Sequence, residues 1–88
     1  MTDVKAVLDE RGAKYGKFSE QAAIAQLLES AMRQGRNWQL LPAFQKEALK
    51  LITHKIARAL NGDPTYTDNF IDIAGYAQLV VNVLEGKE

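Results

Sequence analysis

Two groups of residues have the types and spacing to do chemistry. The first is "RGAKYGK", residues 11–17, in which Arg11, Lys14 and Lys17 occur with no acid among them. Gly12 and Gly16 would let the backbone approach a ligand closely, and cations on such a loop suit a phosphate group. The stretch is not the phosphate-loop motif, whose glycine spacing and Lys-Ser/Thr ending are absent. Tyr15 can stack on a base or cover the core, and a plain solvated turn is the competing reading of the segment.

The second group is Lys55, Arg58 and Asp72. Projected at 100° per residue, Lys55 falls inside an apolar arc formed by Phe44, Ala48, Leu51, Ile52, Ile56, Ala59 and Leu60, with Arg58 at its edge. Asp72 falls between Leu79 and Val83, on a side of the last helix that reads as buried. An unpaired buried charge costs several kcal/mol, so Asp72 is expected to meet Lys55 or Arg58 across the two helices. Such a set is either an ion-pair network fixing helix register or the lining of a cleft that meets a charged ligand. Lys55 can also carry its ammonium to water along its aliphatic stem.

Other chemistries find little footing. His54 is the single histidine and points away from the apolar arc, so it reads as a surface residue. With no cysteine and no second histidine, a zinc site lacks ligands, and no Ser-His-Asp arrangement can be drawn. No catalytic residue is assigned.

The elements that must position these groups are all helical. Thr2 can cap a first short helix with Val4, Val7 and Leu8 on one face, interrupted at "RGAKYGKF" by Gly12 and Gly16, which reads as a structured loop. Ser19 is an N-cap for a helix with Ile24, Leu27, Leu28 and Ala31 as its stripe, in which Glu29 and Arg33 can pair, and Gly35 ends it. Trp38 lies in the linker as a lid or an interface anchor. Pro42 fits the first turn of a third helix that Asn61-Gly62 stops, and Thr67 or Asp68 caps the last one. No alternating strand pattern occurs. The expected fold is all-α: one domain over 1–88, a compact bundle of three main helices and a short N-terminal one. On the last helix the apolar arc covers well over half the circle, so that helix should be nearly surrounded, and oligomerisation is expected to complete the bundle.

Composition narrows the partners. The chain has 88 residues, with eleven basic and eleven acidic side chains that cancel. That balance argues against general nucleic-acid binding. No apolar run approaches a membrane span, and the charged "MTDVKAVLDER" does not read as a signal peptide, so a cytoplasmic protein is expected. Without disulfides a chain this short often gains stability by self-association, as a homodimer or larger homo-oligomer.

Three motifs together resemble a known group. "RGAKYGKFSEQ", "HKIARALNGDP" and "DNFIDIAGYAQLV" resemble a family of small helical proteins of phages and prophages that read R-x-x-x-Y-G, then K-x-x-R, then D-x-x-x-D-x-x-G-Y. The pattern falls on Arg11, Tyr15, Gly16, Glu20, Lys55, Arg58, Asp68, Asp72, Gly75 and Tyr76. This family is distantly similar to the MazG-like all-α nucleotide pyrophosphohydrolases, oligomeric bundles that use magnesium held by E-x-x-E and E-x-x-D helices. Here Lys50 and Asn69 stand where two of those acids fall. The resemblance implies Glu20, Asp68 and Asp72 as magnesium ligands. A site of that type would hold phosphates on Lys55, Arg58 and the Arg11/Lys14/Lys17 loop, with Tyr15 or Tyr76 stacked on a base. The expected function is binding of a nucleotide or other phosphorylated ligand, with a degenerate pyrophosphohydrolase as its enzymatic form. The alternative is a non-enzymatic protein–protein interaction module in which the charges are a structural ion-pair network.

Overall fold

A computed structural model of the chain describes residues 3–88. It contains four α-helices, three long and one shorter, and no strand among the described residues: α1 (Val4–Tyr15), α2 (Phe18–Arg33), α3 (Ala43–Asn61) and α4 (Thr67–Leu84), with a 3-10 turn at Trp38–Leu40. The all-α bundle read from the periodicity is the observed architecture. No helix among the described residues is long and apolar enough to cross a membrane.

The helix ends depart from the residue pattern in instructive ways. Thr2 lies outside the described residues; the observed cap of α1 is Asp3, whose side chain accepts the backbone N–H of Ala6 at 3.3 Å. Helix α1 runs through Gly12 as far as Tyr15, so "RGAKYGKF" is not a loop but a helix end followed by a tight turn. Gly12 is tolerated there because one interior glycine costs only about 1 kcal/mol. Helix α2 starts at Phe18, ahead of Ser19, with Lys17 at the cap position and no side-chain cap bond. Helix α4 starts at Thr67 with Tyr66 at the cap, so neither Thr67 nor Asp68 caps it. Pro42 stands at the cap of α3, one place ahead of the expected first turn.

Helix α3 is the centre of the bundle. Helices α2 and α4 flank it and α1 packs on α3 and α2. The two seams run along opposite sides of α3. Ala48 is buried towards α4, beside Ala77 and Val80. Thr53 and Ala57 are buried towards α2, where the Thr53 hydroxyl donates to the Leu49 carbonyl at 2.7 Å and lies 2.9 Å from Met32 Sδ. Small residues at the seams let the helices approach closely, which displaces the larger side chains to the faces between seams. The arc centred on Leu51 and Ile52 is therefore not the buried line: Ile56 is 37% exposed and Leu60 67%. Nor does its own chain surround α4, the first of the two ways, own domain or second subunit, in which its wide apolar arc could be covered. Asn69 is its one buried residue, whereas Phe70, Leu79 and Leu84 are exposed.

Candidate functional site

The site begins with two turns locked against each other. Gly16, at φ +76°, follows α1 in a conformation that disfavours any side chain. The backbone of the α3–α4 turn presses on this segment: a Cβ on Gly62 would overlap the Lys14 carbonyl and the Tyr15 backbone, and one on Gly16 would meet Asn61. Asn61 Nδ2 donates to the carbonyls of Tyr15 (2.9 Å) and Lys17 (3.1 Å), and the Asp63 N–H donates to the Lys14 carbonyl at 2.7 Å. Gly16 thus admits another turn of the protein, and it also lines the cavity described next. Asn61 and Gly62, which the sequence marks only as a helix stop, are half of this clamp.

The clamp aims Tyr15 and Arg58 at each other. The Arg58 guanidinium carbon lies 4.3 Å from the Tyr15 ring centroid, a stacking cation–π distance. Its Nε is buried and has no hydrogen-bond partner, as is Nδ2 of the buried Asn69. Beside this stack a cavity of about 330 Å³ opens between α1, α2 and α3. Arg11, Lys17 and Arg58 line it with Tyr15, Phe18 and the buried amide of Gln21, and no carboxylate contributes to the wall. Gln21 and Phe18 belong to this wall though nothing in the sequence marks them; their one signal is that they follow the Gly16 turn at the start of a helix.

The second half of the expected cluster goes elsewhere. Lys55 Nζ is 3.0 Å from Asp72 Oδ2, bridging α3 and α4, and Lys55 is only 15% exposed. The pairing anticipated for Asp72 is made, with Lys55 as the partner. Arg58, the other candidate, is taken by Tyr15. Glu29 does not pair with Arg33 along its own helix; it lies 3.7 Å from His54 Nε2 across the α2–α3 seam and accepts from Gln26.

Lys14 turns outward from the cavity. It bonds Glu10 at 2.8 Å and lies 3.3 Å from the Tyr66 hydroxyl, 4.7 Å over that ring. Tyr66 OH in turn donates to Asp68 Oδ2 at 2.8 Å, and its ring meets Tyr15 edge-on. The bond to Lys14 holds the Glu10 carboxyl below its ordinary value, and the bond to Glu10 pushes the Lys14 ammonium up. Asp68 makes the Tyr66 phenol harder to ionise.

Two expected assignments do not assemble. Glu20 is exposed on α2, Asp68 is engaged by Tyr66, and Asp72 by Lys55. Among the described residues no three metal-ligating side chains converge, so these carboxylates do not fit the magnesium ion that the resemblance implied. Tyr76 lies with Phe44 and Leu79 in a separate apolar groove, away from the Tyr15–Arg58 stack. What remains together from the expected ligand set is Arg11, Tyr15 and Arg58.

No curated protein and no solved structure matches the chain. Residues 2–84, nearly its whole length, match one family, and the chain belongs to it: the family described as a domain of unknown function (DUF6378).

Proposed function

We propose that the protein binds a small phosphorylated organic ligand of the nucleotide type in the cavity between α1, α2 and α3. The observation that carries this is the carboxylate-free wall: three cations, with Arg58 stacked on Tyr15 and its Nε unpartnered, beside two aromatic rings. Guanidinium groups hold phosphate through paired N–H donors, and an aromatic face takes a base. The volume is at the small end of ligand sites, which suits a mononucleotide better than a dinucleotide. The proposal is of binding rather than turnover, since the carboxylates of a pyrophosphohydrolase do not converge. The distant likeness of the phage and prophage family to MazG-like enzymes is on this reading one of ligand class.

The test is thermal denaturation with nucleoside mono-, di- and triphosphates and with inorganic phosphate. A ligand at one hundred times its Kd adds about 2.7 kcal/mol, which for a domain of this size raises Tm by roughly 10–20 °C. Arg58→Gln and Arg11→Gln should each remove the rise. No rise with any phosphorylated compound, or a rise that both variants keep, refutes the proposal. The made Lys55–Asp72 bridge favours the interaction-module reading for that half of the cluster, as a register-fixing pair rather than part of the site.

A further inference from the structure

Helices α2, α3 and α4 form a single layer with two unlike faces. One face carries the polar contacts, Glu29–His54, Lys55–Asp72 and the Arg58–Tyr15 stack, with α1 laid over one end and the groove of Phe44, Tyr76 and Leu79 between α3 and α4. The other face is a groove whose floor is Ala48 and Ile52 of α3 with Ala77 and Val80 of α4. Helical periodicity sets Leu49, Ile56 and Leu60 on the α3 side of that face and Phe70 and Val81 on the α4 side. These five are between 37% and 67% exposed. No charged residue falls on that arc of either helix.

A domain ordinarily buries such a face under a second layer, and here none of the described residues covers it. The surface bears this out. The chain exposes 6390 Å², about 1,200 Å² more than the roughly 5,200 Å² expected for its mass. Its radius of gyration is 14.9 Å, against about 12 Å for a domain of this length.

From this the geometry points to a second copy of the chain as the missing layer, the apolar faces of α3 and α4 meeting about a two-fold axis. The excess over the whole chain is larger than the roughly 800 Å² that a stable dimer takes from each partner. An isologous contact must be self-complementary. An uncharged face on a chain of zero net charge meets its own copy without repulsion. A membrane-surface occupant would want a basic rim, which the face lacks. Leu49, Ile52, Ile56 and Leu60 recur at spacings of three, four and four along α3, a seam of the kind that pairs two helices. The inference stands apart from the ligand proposal, since the cavity lies on the opposite face.

Sedimentation equilibrium from about 1 to 100 µM, a range bracketing ordinary homodimer affinities, tests it. Wild type should show twice the 9.8 kDa chain mass. Ile56→Glu and, at a more exposed position, Val81→Lys should shift it to the single-chain mass while retaining helical circular dichroism. Leu79→Lys, exposed in the separate groove with Phe44 and Tyr76 on the opposite face, should remain dimeric. A monomeric wild type would overturn the inference and leave the face to a different protein. Dissociation by Leu79→Lys with Ile56→Glu and Val81→Lys still dimeric would equally overturn it, by moving the interface to the other side.

Discussion

Gly62→Ala is the sharpest probe of the clamp behind the cavity. Gly62 has a negative φ of −121°, outside the left-handed region that favours glycine. What an added methyl meets is backbone: the Lys14 carbonyl and the Tyr15 Cα and carbonyl carbon. Backbone atoms cannot swing aside as a side chain can, so the two turns must separate. Overpacking of this kind costs about 1–3 kcal/mol. Separation also stretches the two Asn61 bonds to the Tyr15 and Lys17 carbonyls, each worth about 1 kcal/mol. A total near 3 kcal/mol lowers Tm by roughly 12 °C or more at about 4–8 °C per kcal/mol. The matched control is Gly12→Ala, where a Cβ would meet nothing within 4 Å in the last turn of α1. That change should stabilise by about 0.5–1 kcal/mol and raise Tm by a few degrees. Calorimetric or circular-dichroism melts of both variants give the answer. If Gly62→Ala melts within about 2 °C of wild type, a small fraction of the predicted shift, the clamp does not hold the site together as described.

Four further outcomes are expected. Asp72→Ala should lower stability by about 1–2 kcal/mol in denaturant titration, less than for a fully buried pair because Asp72 is 43% exposed. The double change Lys55→Met/Asp72→Leu should recover much of that loss, since no charge is then left unpaired. As for pH, Glu10 and Asp63 are held below the ordinary carboxylate range, by Lys14 and by Thr65. The unfolded chain therefore takes up protons first on acidification. Stability present above about pH 4.5 should decline as pH falls towards the folded values, in Tm measured against pH at low salt. At the alkaline end Lys14 and Tyr66 are both raised, so their contribution is complete below about pH 10 and lost as pH climbs through the folded values. A Tm that declines well before pH 10 would contradict it.

Much of this was legible in the residues. Stripes such as Ile24, Leu28 and Ala48, Ile52, and stops at Gly35 and Asn61-Gly62, determine four helices and their approximate ends, because helical periodicity and helix termination are local. The Lys55–Asp72 bridge was also legible, because burial of one charge compels a partner and few were within reach. Three decisions belonged to the tertiary structure alone. That Gly16 and Gly62 press two turns together, and so stack Tyr15 on Arg58, depends on residues 46 apart in the chain meeting, which no local pattern encodes. That Asp68 serves Tyr66 rather than a metal follows from where the α3–α4 turn places a phenol. That Ala48, Thr53 and Ala57 are buried while Ile56 and Leu60 stay exposed follows from α2 and α4 packing on opposite sides of α3. An apolar stripe states that a helix face must be covered, but only the placement of its neighbours decides which part of that face they cover.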